Sequence, residues 1–138
     1  MAQGVITPSI AKLLEGKNFV SFATLMEDGS PHVAPTWVDH DGDIILINTA
    51  MGRIKEKNIR KDPRVALSIY DQENPYNMVS IRGKVIEITT DGADDQIDKL
   101  AKRYFGVDKY PFRRPEEKRI ILKIRPEKIH HQQPPPQK

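Results

Sequence analysis

Cysteine is absent from all 138 residues. That excludes disulfides, thiol catalysis and thiolate metal sites together. Long hydrophobic runs are missing too. The longest uninterrupted aliphatic stretch, Ile44–Ile47, falls far short of the roughly 20 residues a membrane helix requires. The first residues, MAQGVITPSIAKLLEG, lack a basic segment followed by an apolar core, so no signal peptide is expected. A soluble, cytoplasmic protein that does not engage a membrane is the expectation.

Other signatures are equally scarce. There is no glycine-rich phosphate loop of the Walker or dinucleotide type, and no Gly-x-Ser-x-Gly nucleophile elbow. Of the four histidines, His32 and His40 are scattered, and the adjacent His130 and His131 point apart in a strand. Without a His-x-x-x-His pattern, no metal site is expected. A net charge of +3 is too mild to imply nucleic acid and suits small anionic ligands equally well.

What remains has the size of one domain, long enough to bury a core unaided. Thr7-Pro8, then Ile10, Leu13, Leu14 and Gly16, spell a short helix with a capping hydroxyl and a terminating glycine. Phe19–Met26 and His32–Val38 flank an Asp28-Gly29 turn, the strongest short hairpin signal. A second such turn at Asp41-Gly42 leads into a strand over Ile44–Asn48. The period then lengthens to that of a helix over Gly52–Arg60, which stops before Pro63.

Arg64–Tyr70 and Met78–Ile88 read as strands separated by Asn74-Pro75. In Ala93–Phe105 the apolar Ile97, Leu100, Ala101, Tyr104 and Phe105 keep helical spacing, and Gly106 can end the helix. Ile120–Ile124 is a last alternating strand. Residues 1–130 thus form the domain, and 131–138, with three successive prolines, form a tail that cannot join a sheet. Six strands with hairpin-length links indicate a mainly β, antiparallel barrel with flanking helices.

The chemistry concentrates between Ile47 and Asn58. Asn48 and Thr49 end a strand, Gly52 permits a turn, and a helix starts with Arg53 and Lys55. Free amides at a helix start attract anions, and adjacent cations strengthen that attraction. Arginine can grip a phosphate with two bonds while lysine adds a point charge. By spacing alone the run also reads as a solvated helix face, the commoner state of short charged segments. No aromatic interleaves these charges to stack bases, so a nucleic-acid patch is the weakest of the three readings.

The chain from about Leu14 to Ile129 resembles the pyridoxamine 5′-phosphate oxidase-like superfamily, most closely its small F420-dependent oxidoreductase branch. The resemblance is carried by Phe22-Ala23-Thr24 before Asp28-Gly29, Pro35-Thr36-Trp37, and Asn58-Ile59 leading to Pro63-Arg64-Val65-Ala66. Asp71, Asn74-Pro75-Tyr76 and Arg82-Gly83 follow in order. It implies a flavin-reductase-like, Greek-key split β-barrel acting as a homodimer, with a cofactor in the interface cleft. It further implies that Arg53 and Lys55 hold the cofactor phosphate and that Asn48 and Thr49 lie beside it. Lys57 and Asn58 would sit close behind, and the strand through Pro35, Thr36 and Trp37 would pass the ring system. Trp37 also reads simply as core.

Three departures separate this chain from a true pyridoxamine phosphate oxidase. Ile54 stands between Arg53 and Lys55, Met78 occupies a glutamine position, and the oxidase's C-terminal arginine and tryptophan have no clear counterpart. The implied cofactor is therefore coenzyme F420, with FMN as the alternative. The implied activity is hydride transfer to a small substrate without a catalytic acid or base from the protein. An FMN-dependent reductase or oxidase and a non-catalytic cofactor carrier are the alternatives. The Tyr110–Pro115 loop, with Arg113 and Arg114, could cover a cleft or meet the cofactor's acidic end.

Overall fold

The computed structural model describes residues 4–133. The described residues form three helices and seven strands. In order these are α1 (Pro8–Glu15), β1 (Val20–Leu25), β2 (Pro31–Thr36), β3 (Asp39–Asp41), β4 (Ile44–Ala50), α2 (Ile54–Lys61), β5 (Arg64–Tyr70), β6 (Met78–Thr89), α3 (Ala93–Phe105) and β7 (Arg119–Gln132). All strands belong to one antiparallel sheet of order β2-β1-β5-β6-β7-β4-β3. Its two edge strands, β2 and β3, are separated in sequence only by Trp37 and Val38. So short a link between opposite edges forces the sheet to curl round on itself without closing, which is a split barrel.

The core lies inside that curl. Phe22, Val38, Ile45, Ile47, Val79, Ile120, Leu122 and Ile124 are fully shielded from solvent. They come from β1, β4, β6, β7 and the β2–β3 link, so each contributing strand sends alternate residues inward. Helix α1 caps one end with Ile10, Leu13 and Leu14, and the Thr7 hydroxyl accepts from the Ile10 amide at 3.3 Å. Helix α3 lies across β4 and β7, burying Ile97, Leu100 and Ala101. The Tyr104 hydroxyl donates to the Asn18 carbonyl at 2.6 Å, and Arg103 donates to the carbonyls of Leu14 and Val38. These bonds fasten the last turn of α3 to the segments around β1 and β3.

Several sequence expectations need correction. There are seven strands rather than six, because three-residue β3 contains Asp39, His40 and Asp41 and carries no apolar signal. It pairs with β4 across the Asp41-Gly42 turn, where Gly42 has φ 59°. Trp37 lies in the β2–β3 link, not in a strand. Strand β7 extends well beyond Ile124 despite Pro126. A proline has no amide to donate, and this one sits opposite Gly83 where the β6–β7 register shifts.

The domain boundary also moves. His131 and Gln132 pair with Val79 and Met78, and His131 meets the Asn77 side chain at 2.8 Å. Of the expected tail, residues 134–138 lie outside the described residues. No described helix is long and apolar enough to cross a membrane.

The close approach of β7 to β6 at this bulge depends on glycine. A Cβ on Gly83 would lie 2.3 Å from the Arg125 carbonyl oxygen and 3.2 Å from the Pro126 Cα, both of them backbone atoms that cannot swing aside. Gly83→Ala is therefore expected to destabilise the protein by about 2–3 kcal/mol, the cost of overpacking a rigid site. Urea unfolding of the variant beside the parent checks this, and an unchanged midpoint would refute it.

Candidate functional site

A cavity of about 290 Å³ opens between α3, the end of β4, the start of α2 and the loop before β7. Its two sides differ in chemistry. One wall is polar and cationic, made by Asn48, Thr49, Arg53, Lys55 and Arg119. The other is aromatic, made by Phe19, Trp37, Phe105, Tyr110 and Phe112, and Pro35, Thr36, Ile97 and Leu100 complete the lining.

The cationic wall follows from how α2 begins. Arg53 is its N-cap residue, with φ −76° and ψ 160°, and Lys55 follows in the first turn. The extended backbone at Arg53 lets both side chains reach the same cavity although they are two apart. No side chain caps the helix. Glu56 instead reaches back to accept from the Gly52 amide at 2.8 Å and pairs with Arg60. The first intrahelical bond runs from the Lys57 amide to the Arg53 carbonyl, so the preceding amides of the first turn have no partner within the helix. Burial, reinforced by the Arg53 charge, pulls the Lys55 ammonium below its usual pKa. No ion pair among the described residues includes Lys55.

Arg119, the first residue of β7, supplies the third cation. Its Nε donates to Asn48 Oδ1 at 3.0 Å, its guanidinium lies 5.1 Å from the Tyr110 ring centroid, and it pairs with Glu117. Asn48 uses its other end fully, since Nδ2 donates to the Ala93 carbonyl at 2.8 Å and to Gln96 Oε1 at 3.0 Å. One buried amide thus joins β4, β7 and the start of α3.

The aromatic wall is a network of ring contacts. Trp37 stacks on Tyr104 with centroids 5.0 Å apart and planes 4° from parallel. Phe105 and Tyr110 meet Trp37 edge-on at 5.0 and 6.0 Å. Phe112, 61% exposed, leans on Phe105 and Tyr110. The loop carrying Tyr110 and Phe112 is anchored by Asp98, which accepts from the Tyr110 amide at 2.9 Å and from Arg113 at 2.6 Å.

The sequence-predicted residues therefore divide. Asn48, Thr49, Arg53, Lys55, Pro35, Thr36 and Trp37 come together around one cavity. Lys57 and Asn58 do not line it. Lys57 is solvent-exposed, and buried Asn58 donates to Thr24 Oγ1 at 2.9 Å and to Met26 Sδ at 3.3 Å, tying α2 to β1. Sequence reasoning missed Arg119 and most of the aromatic wall. Arg119 follows Lys118 at a strand start with no motif to mark it, and only the fold brings it to Asn48. Tyr110 and Phe112 were legible as an unusual aromatic–basic loop, but Arg113 is bound to Asp98 and Asp94 rather than aimed at the cavity.

Residues 6–133 match the family model for pyridoxamine 5′-phosphate oxidase. Among solved structures the chain is similar to an F420 reductase, with 30% identity over 94% of this chain and 98% of that one, and a TM-score of 0.76. General Stress Protein 26 of Bacillus anthracis str. Sterne is similar in fold, at 20% identity, 90% and 91% coverage and a TM-score of 0.68. So is HupZ of Group A Streptococcus, at 21% identity, 91% and 93% coverage and a TM-score of 0.65. No curated protein matches by sequence.

The hydrogen bonding of Asn48 has a measurable consequence. Asn48→Leu strands the Gln96 carbonyl and one face of the buried Arg119 without partners. Each unsatisfied buried group costs roughly 1–3 kcal/mol. A loss of at least about 2 kcal/mol in chemical denaturation is the expected result. A neutral substitution would show that the node does not hold α3 to the sheet.

Proposed function

The chain belongs to the pyridoxamine 5′-phosphate oxidase family, a family of oxidoreductases, and on that premise we propose that its cavity seats coenzyme F420 by the phosphate. The observation that carries this reading is the meeting of Arg53, Lys55, Arg119 and the uncapped start of α2 at one wall, opposite an aromatic wall. A flat, phosphate-bearing cofactor needs both surfaces. The 30% identity to an F420 reductase over nearly the whole chain favours the deazaflavin. FMN is the second reading, favoured by the family model that the chain matches.

When bound, such a cofactor supplies the carbon that gives or takes hydride. The protein's part is to bind and orient. Arg53 and Lys55 would grip the phosphate with charge-assisted bonds, while the first-turn amides of α2 add donors that need no charge. Trp37, held flat by Tyr104, would border the ring, with Pro35 and Thr36 beside it at the mouth. The physiological acceptor is a small molecule able to enter beside that ring. No side chain is assigned as acid or base.

A homodimer completes the proposal. A volume of about 290 Å³ lies at the lower edge of the roughly 300–1,000 Å³ usual for ligand pockets, so a second surface is needed to enclose a whole cofactor. The outer face of β1, β2, β5 and β6 offers one. It exposes Val33, at 62%, and holds two hollows of about 410 and 530 Å³ lined in part by small residues such as Ala23, Ala66 and Ser68. Apolar surface of this kind marks interaction faces on soluble proteins.

Fluorescence titration of the purified protein with F420 and with FMN tests the reading. F420 is expected to bind more tightly, and preference for FMN would move the assignment to a flavin enzyme. Arg53→Ala combined with Lys55→Ala is expected to weaken binding at least about 100-fold, because charge-assisted hydrogen bonds contribute roughly 1.5–3 kcal/mol each. Undiminished binding by that variant would place the phosphate elsewhere.

A further inference from the structure

One carboxylate lies among the cations of the polar wall. Glu117 Oε1 accepts from Arg53 Nη2 at 3.0 Å and also from Arg119 Nη1. The two arginines come from opposite sides of the wall, one from the start of α2 and one from the start of β7. A single oxygen bridging two guanidinium groups is the arrangement that a phosphate or carboxylate ligand adopts between arginines. We propose that Glu117 is an internal stand-in for the ligand's anion, holding the Arg53–Arg119 pair until a phosphate displaces it. In that role it sets the affinity of the wall for phosphate-bearing ligands. This rests on the phosphate-seat reading above.

Glu117 is not needed to position either arginine. Arg119 is fixed by the Asn48 side chain and by its place over Tyr110. The backbone of Arg53 is set by its N-cap position on α2, and its side chain, 53% exposed, has room to turn towards a ligand. Charge points the same way. Glu56, the other nearby carboxylate, already serves Arg60 and the Gly52 amide. Arg53 and Arg119 therefore share Glu117, and Lys55 remains without an ion pair among the described residues. A phosphate entering this wall meets three cations and one like charge. That like charge is mostly buried, its side chain 11% exposed, so water screens it poorly. Binding must push it aside.

Glu117→Gln keeps the size and the accepting oxygen but removes the charge. Its fluorescence titration with F420 and FMN, with riboflavin as a phosphate-free control, tests the role. The variant is expected to bind the phosphate-bearing cofactors about tenfold more tightly than the parent, as loss of a poorly screened like charge predicts. Riboflavin affinity should not change. Equal or weaker binding of F420 and FMN by Glu117→Gln would overturn the internal-anion role. So would a parallel change with riboflavin, which would mark Glu117 as merely structural. If Arg53→Ala with Lys55→Ala meanwhile abolishes phosphate-cofactor binding, the seat itself stands. If that double variant binds as the parent does, the seat and this role fall together.

Discussion

The guanidinium of Arg119 is buried at the start of β7, and three separate parts of the molecule meet on it. Its Nε fixes Asn48, whose amide in turn holds the first turn of α3 through Ala93 and Gln96. Its flat face carries Tyr110, and with it the aromatic loop before β7. Its Nη1 donates to Glu117, which also accepts from Arg53 at the start of α2. A buried charge is costly unless nearly every donor is used, and here the need to satisfy it dictates the shape of the cavity. The polar wall and the aromatic wall are two consequences of one burial.

That constraint explains why the site combines surfaces that rarely coexist. Aromatic side chains gather where water is excluded, whereas cations resist leaving it. Arg119 reconciles them by presenting its edge to Asn48 and Glu117 and its face to Tyr110. Arg53 needs no such arrangement, because the start of α2 leaves it exposed to solvent, and half-buried Lys55 stands between the two. The wall is accordingly graded, from a fixed buried cation to a movable exposed one. A ligand anion can be drawn in by the exposed end and oriented by the fixed end.

Much of this was legible in the sequence wherever local chemistry decides local structure. Thr7, Pro8 and Gly16 bound α1, Gly29 and Gly42 turn the hairpins, and the spacing of Ile97, Leu100 and Ala101 marks α3. The start of α2 was readable for the same reason, and so were Arg53 and Lys55. What could not be read depends on pairing between distant segments. Strand β3 exists only because β4 holds it, and the far half of β7 forms only because β6 runs beside it. Asn58 looked like part of the phosphate segment, yet its position in α2 turns it towards Thr24. Arg119 carries no local signature at all, since its partner Asn48 lies 71 residues away.

The wall built on Arg53, Lys55 and Arg119 is the proposed seat of a cofactor phosphate. A crystal structure of the protein grown with F420 tests it most directly. Phosphate density is expected within hydrogen-bonding distance of Arg53, Lys55 and the first-turn amides of α2, with the ring bordered by Trp37 and Glu117 turned away from Arg53. Phosphate density on any other surface, or a cofactor whose phosphate faces solvent, would contradict it.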